Sequence, residues 1–351
     1  MRRPSAVFTA IAAVVVALFA LGASVPAALA QGKEHVNIDT PKDRQEFSIY
    51  VPPLAPLTIP VSACDNIFTR KVKLSVGAGS ASNTSFAGSP TETFPGDRVC
   101  VAQNLTFSPD QAQADQELEV VIVATATFAP PNQSTVTATN KVTIKIKTVG
   151  VKAWSDGDHA LAWTDFQGPV PNAPKDDAET FCKINWHISD DVKSEFNSRT
   201  SSWDATARKG IKTRAVFVRK QSWVTKKSDQ TLHHEQGHFN ICEIYRRKLD
   251  KKLKDLLGGL EGKGSAATQP EAEKAALADL AKKVTKKIED DVTRAIKDHL
   301  NACDAKQREY DREHGDPPGT HHSQDQTAQQ AWDTQIEKSL NNQPSSYFPD
   351  P

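Results

Sequence analysis

The rhythm of apolar and polar positions changes once along this chain, near residue 150. Before it, apolar residues alternate or gather in short runs. Val142, Ile144 and Ile146 alternate with Lys141, Thr143, Lys145 and Lys147, the period of two expected of a half-buried strand. Phe47–Val51, Leu57–Ser62, Lys71–Val76, Glu117–Phe128 and Thr135–Lys147 predict further strands. Turn-rich stretches at Gly77–Gly96, Ser108–Gln116 and Ala129–Asn132 separate them. Several short strands punctuated in this way predict an all-β, immunoglobulin-like sandwich over residues 31–150. No residue cluster in it suggests chemistry, so it reads as a spacer or adhesive module.

After residue 150 the period becomes helical. Ala215–Val218 is a strand core, but residues 228–257 predict a helix. Ser228 or Asp229 can cap its start, and Gly258-Gly259 ends it. Cys242, Tyr245, Leu249, Leu253 and Leu256 form its apolar stripe. A second, longer helix is expected from Thr268, with Glu271 completing a capping box. Its stripe runs through Leu277, Leu280, Val284, Ile288, Val292, Ile296, Leu300 and Cys303. Lysines 282, 283, 286 and 287 lie largely off it and read as a solvated face. Residues 341–351 read as a flexible tail. The fold class expected is α+β: the sandwich, then over 151–340 a zincin-like domain with a small sheet, the first helix and the long second one.

Composition sharpens the boundary. All six tryptophans and nine of ten histidines follow residue 150. The 351 residues are 38% hydrophobic and carry 43 basic and 43 acidic side chains. That balance excludes a generally basic nucleic-acid binder, and no nucleic-acid partner is expected. It also excludes a multispan membrane protein. Residues 1–30 read as a signal peptide. Arg2 and Arg3 precede an apolar run from Ala6 to Ala23, and Ala28-Leu29-Ala30 forms an A-x-A site with cleavage after Ala30. A secreted, periplasmic or cell-surface protein without a stable membrane span after cleavage is expected. Export puts Cys64, Cys100, Cys182, Cys242 and Cys303 in an oxidising compartment. Cys64–Cys100 is the natural pair within the sandwich, and the odd count leaves one thiol over.

The chemistry concentrates in His233-His234-Glu235-Gln236-Gly237-His238. His234 and His238 are four apart, hence on one helical face, where two imidazoles can hold Zn²⁺. Glu235 points about 100° around the helix and can reach a water at the metal. This is the H-E-x-x-H arrangement of zinc metalloproteases, with Glu235 as general base. A catalytic zinc needs a third protein ligand. Glu243 lies nine residues beyond His234, which turns it to the opposite face. Glu289-Asp290-Asp291 would stand near His234 in a straight antiparallel helix pair, ~35 Å from the turn at 1.5 Å per residue. His321-His322 could return by a chain reversal after Tyr310. The same straight-helix ruler sets Cys242 ~23 Å and Cys303 ~50 Å from the turn, which excludes a bridge between them.

Residues 151–335 resemble a bacterial family known as domain of unknown function 922, described as predicted secreted zinc-dependent proteases. Four stretches carry the resemblance: Leu161-Ala-Trp163-Thr-Asp165-Phe166-Gln167-Gly168; Ser222-Trp223-Val224; Leu232 through Ile241; and Tyr310-Asp311, Thr320-x-His322 and Gln329-x-x-Trp332. The resemblance implies a zinc hydrolase with His234 and His238 as ligands and Glu235 as base, and it favours His322 as the third ligand. The chain departs from the family pattern at Asn240, where an aspartate is expected, at Ser323, where glycine is, and in six extra residues, His314–Gly319. The activity expected is peptide hydrolysis of a peptide or protein substrate, extracytoplasmic or cell-wall associated. Tyr310 or His321 is a donor to the developing oxyanion, and Lys212–Val218 a strand that could align an extended peptide. The competing expectations are a non-catalytic, metal-stabilised adhesive protein and a cell-wall peptide hydrolase. Substrate and oligomeric state have no signature in the sequence.

Overall fold

The computed structural model describes residues 36–65, 69–86, 91–92, 100–128, 136–155, 159–174, 176–313, 326–342 and 347–351. The expected signal segment lies outside them, as do His321 and His322. Residues His35–Pro351 form one compact unit.

The first strands are β1 (Val36–Thr40), β2 (Glu46–Val51), β3 (Leu57–Asp65), β4 (Thr69–Val76), β5 (Thr84–Phe86), β6 (Thr91–Glu92), β7 (Cys100–Phe107), β8 (Glu117–Phe128) and β9 (Val136–Ala153). One sheet has the order β1-β3-β7-β5; a second contains β9-β8-β4-β6, with β2 parallel to β9. The two close on one apolar core. Ile59, Val61, Val101, Leu105 and Phe107 come from the first sheet, and Val72, Leu74, Val120, Ile122, Ile144 and Ile146 from the second. Period two explains it: Val142, Ile144 and Ile146 turn inward while Lys141 and Lys147 are exposed. Cys64 and Cys100 face each other across β3 and β7 and are bonded, as expected.

No linker marks residue 150. Strand β9 pairs with β8 up to Lys147 and then, over Val151–Ala153, with a later strand. That strand, β12 (Ser202–Val218), forms a long hairpin with β11 (Cys182–Asn197). The short strands β10 (Ala178–Glu179) and β13 (Trp223–Val224) pair with each other, and β14 (Glu261–Ala266) adds to the far end of β12. The Lys212–Val218 segment is therefore sheet interior at its C-terminal end, held by β11 on one side and β9 on the other. In the sheet order it is β11 that stands at the edge.

Four helices appear among the described residues: α1 (Asp229–Leu257), α2 (Gln269–Lys283), α3 (Lys286–Glu313) and α4 (Gln326–Leu340). None is long and apolar enough to cross a membrane. Ser228, rather than Asp229, caps α1 by accepting the amide of Thr231. The expected long second helix is two helices. Val284 leaves helical geometry at the end of α2, and Thr285 accepts the amide of Ile288 at the start of α3. Two adjacent β-branched residues weaken a helix at this point. The expected capping box is also different, because Thr268 Oγ1 donates to the Glu271 carboxylate instead of accepting a backbone amide.

Alternate glycines of β14 let α2 approach. A Cβ on Gly262 would lie 2.1 Å from the carbonyl oxygen of Ala276, and one on Gly264 2.2 Å from that of Ala272. The end of the chain is no free tail. Phe348 is buried among Tyr245 and Trp332, and Asp350 pairs with Lys248.

Candidate metal centre

The site is built where α1 and α3 pack antiparallel. Contacts recur once per turn in opposite directions along the two helices. Cys242 meets Cys303, His238 meets Gln307, and His234 meets Tyr310 and Asp311. One helical face of each strip carries all these residues. Gly237 makes the approach possible, since a Cβ there would lie 2.1 Å from the Tyr310 hydroxyl.

His234, His238 and Asp311 bring three ligand atoms within 4.8 Å of one another. Asp311 Oδ1 is 2.9 Å from His238 Nε2 and 3.6 Å from His234 Nε2. The two imidazole rings stand 4.9 Å apart and nearly perpendicular. Their other nitrogens are held by glutamines: His238 Nδ1 by Gln307 Oε1, and His234 Nδ1 by Gln329 Oε1 at 3.4 Å. An Nδ1–H donated to an amide oxygen leaves each Nε2 its lone pair, the arrangement a ligating histidine needs. Two imidazole nitrogens and one carboxylate oxygen fit zinc in ligand type, and three protein ligands is the number that leaves a position for water.

Electrostatics agree with a cation there. Burial works against charge on His238, but Asp311 beside it outweighs burial and raises its pKa to about 9. Burial pushes the Asp311 carboxyl up, yet the two imidazoles hold it well below the usual carboxylate range. The Asp311 carboxylate thus favours positive charge beside it. Glu235 is 1% exposed and its charge acts on both His238 and Tyr310.

Tyr310 is fully buried, and its ring stacks on His234 at 4.5 Å. Its hydroxyl donates to the backbone oxygen of His234 at 3.3 Å and accepts from Gln329 Nε2 at 2.7 Å. Burial keeps that phenol protonated far above neutral pH.

Of the other third-ligand candidates, the acidic ones stand elsewhere, and His321 and His322 lie outside the described residues. Glu243 is buried but clamped by Arg246 and Arg247. Glu289 and Asp290 are exposed, Asp290 pairs with Lys286, and Asp291 with Arg294. The position across from His234 is 21 residues beyond Asp290, because the break at 284–285 and the strand at 261–266 invalidate a straight-helix ruler. The same error kept Cys303 away from Cys242. Their sulfurs are 3.8 Å apart, although Cys242 is bonded to Cys182.

Asp311 was legible only as part of the Tyr310-Asp311 motif, and nothing marked it as a ligand. A signal existed in the spacing. Cys303, Gln307 and Asp311 continue the apolar stripe of α3 at intervals of four, so that the stripe turns polar where it meets the histidines. Asn240 stands where the family pattern has aspartate, and its side-chain hydrogen bonds go to residues other than the two histidines. Its Oδ1 accepts from Trp154 Nε1 and Gln236 Nε2, while Gln236 Oε1 accepts the amide of Leu161. It ties Trp154 and, through Gln236, Leu161 to α1, and leaves both histidines to the glutamines. The first two motif stretches meet in the same way: Gly168 donates its amide to the Ser222 carbonyl. A Cβ on Gly168 would lie 2.8 Å from that oxygen.

No family model matches this chain, and no curated protein does. Among solved structures, AggA, the major subunit of aggregative adherence fimbriae type I from Escherichia coli, is 13% identical, with a TM-score of 0.24 over 35% of this chain and 99% of that one. A protein of unknown function from Porphyromonas gingivalis W83 is 12% identical, with a TM-score of 0.25 over 52% and 83%. A structural-genomics protein of unknown function from Bacteroides ovatus is 8% identical, with a TM-score of 0.21 over 57% and 99%. Likenesses this low assign neither fold nor function.

Proposed function

We propose that this chain is an exported zinc-dependent peptidase with a zincin-like catalytic half. The observation that carries the reading is the arrival of Asp311 from α3 beside two imidazoles one turn apart on α1. The ligand set proposed is His234, His238 and Asp311; His322, the third ligand that the family resemblance favoured, lies outside the described residues. A zinc ion held there supplies Lewis acidity and makes a hydrolytic water acidic near neutral pH. With the metal bound, Glu235 would be the base that takes a proton from the hydrolytic water and returns it to the leaving amine. Gln307 and Gln329 keep the imidazoles oriented. Tyr310 acts through His234, by stacking and through its backbone oxygen, and so positions the ligand rather than touching substrate. The β11 edge beside α1 offers backbone groups to an extended peptide. Two disulfides agree with an oxidising, extracytoplasmic location.

The burial of His234 (0%) and Glu235 (1%) favours a second reading, a metal-stabilised domain without turnover. One experiment separates the two: zinc content and casein hydrolysis of the purified protein. In the peptidase reading, wild type holds one zinc, Asp311→Ala loses it, and Glu235→Gln keeps it while turnover falls on the order of 10²–10⁴-fold. Zinc retained in wild type and Glu235→Gln, with no hydrolysis by either of these two, supports the second reading. Equal hydrolysis by wild type and Glu235→Gln refutes the base assignment.

A further inference from the structure

Three cysteines meet beside the metal centre, at the crossing of β11, α1 and α3. Cys182 and Cys242 are bonded, and Cys303 is a free, buried thiol. Cys303 Sγ lies 3.8 Å from Cys242 Sγ. Gln307 sits against the same cluster, its Nε2 3.4 Å from Cys182 Sγ and 3.6 Å from Cys242 Sγ. That amide also donates to the His238 backbone oxygen at 2.9 Å, and its Oε1 holds His238 Nδ1. One glutamine thus touches the disulfide and a ligand histidine together. The exposure of the sulfurs is unequal: Cys242 and Cys303 are buried, whereas Cys182 is half-buried.

We propose that Cys242 is shared between two disulfides, Cys182–Cys242 and Cys242–Cys303, and that Gln307 transmits the choice to His238. The exchange needs no oxidant or reductant. Cys303 gives up its proton, and its sulfur attacks Cys242 Sγ. The Cys182–Cys242 bond breaks, and Cys182 leaves with the electron pair and takes up a proton. One disulfide and one thiol exist before and after. Burial, with Asp304 beside it, pushes the Cys303 thiol up to about 12, so little thiolate forms and the exchange is slow. In the exchanged form the thiol is Cys182, at the half-exposed position, and Gln307 loses the paired sulfurs it packs on. His238 then keeps its metal-binding nitrogen but loses part of its orientation. This second step rests on the metal reading; the exchange itself does not.

The test uses the full native chain with iodoacetamide in excess for a day, followed by non-reducing peptide mapping. The expected result is carbamidomethyl on Cys182 together with a Cys242–Cys303 bond, both growing with time, and no label at Cys182 in Cys303→Ala. Label on Cys303 with Cys182–Cys242 intact, or no label at all, overturns the exchange. For the link to His238, Cys182→Ala confines the cluster to the Cys242–Cys303 bond, and Cys303→Ala confines it to Cys182–Cys242. Zinc should bind the first 10–100-fold more weakly than the second. Equal affinity overturns the link. Absence of zinc binding in wild type overturns the metal reading, and the link with it, while the mapping still decides the exchange.

Discussion

The two halves of this molecule bury different things. The sandwich core is apolar throughout: valine, isoleucine, leucine, alanine and phenylalanine from two sheets. Among the described residues, the polar groups buried in that half are Gln113, in a 3-10 turn, and Thr148, in β9, and both are hydrogen-bonded. The helical half buries His234, Glu235, His238, Glu243, His299, Lys306 and Gln329 alongside its aromatic residues. Burying an ionisable group is costly unless partners surround it. A core made only of hydrocarbon needs nothing but shape and volume. A core carrying charges also needs geometry, and geometry held at a cost in stability is what a site requires. On the proposed reading, the difference gives scaffold to one half and chemistry to the other.

That division can be broken by substitutions that should affect one half only. Phe107→Ala, in the sandwich core, should lower unfolding stability by about 3–5 kcal/mol in denaturant titration and leave zinc affinity unchanged. A matching loss of zinc would mean that the halves are not separable. Gly237→Ala should act in the other direction. Its Cβ meets the Tyr310 hydroxyl, so about 1–3 kcal/mol of stability is lost together with zinc affinity, since α1 and α3 must separate. Gln329→Leu should weaken zinc about tenfold, or ~1.4 kcal/mol, by isothermal titration, with little change in thermal midpoint. An unchanged affinity would remove Gln329 from the support of His234. The smallest effect belongs to Asp290→Asn, on an exposed ion pair: within about 0.5 kcal/mol in stability and no change in zinc stoichiometry. Zinc loss there would restore the acidic run near 290 as a ligand source.

Much of the fold was legible because its causes are local. Strand alternation at Lys141–Lys147 is a property of seven neighbours, and the structure keeps it. Ser228 and Gly258 mark the limits of α1 for the same reason. The long hairpin of β11 and β12 was not legible. Its residues include Asp190, Asp191, Lys193, Arg208 and Lys209, and it gains its order from pairing across the turn rather than from an apolar alternation. The break between α2 and α3 was hidden by an apolar stripe that continues through it. Stripe periodicity records which side faces a partner and is silent about a kink that keeps the same side inward. The C-terminal residues read as a flexible tail because Pro, Ser and Asn precede Tyr347-Phe348, yet Tyr347 and Phe348 pack on Trp332, Phe348 meets Tyr245, and Asp350 pairs with Lys248.

The sequence by itself determined that His234, Glu235 and His238 would rise from one helix within two turns, since 3.6 residues per turn leaves no other arrangement. It also determined the strand period and most of the caps. Only the tertiary structure decided that Asp311, and none of the acids at 243 or 289–291, would come beside the two imidazoles. It also decided that Cys242 would bond Cys182 with Cys303 in contact. Those outcomes depend on the register between α1 and α3, which a break of two residues and an intervening strand shift by several turns. No local pattern encodes such a sum of distant geometry.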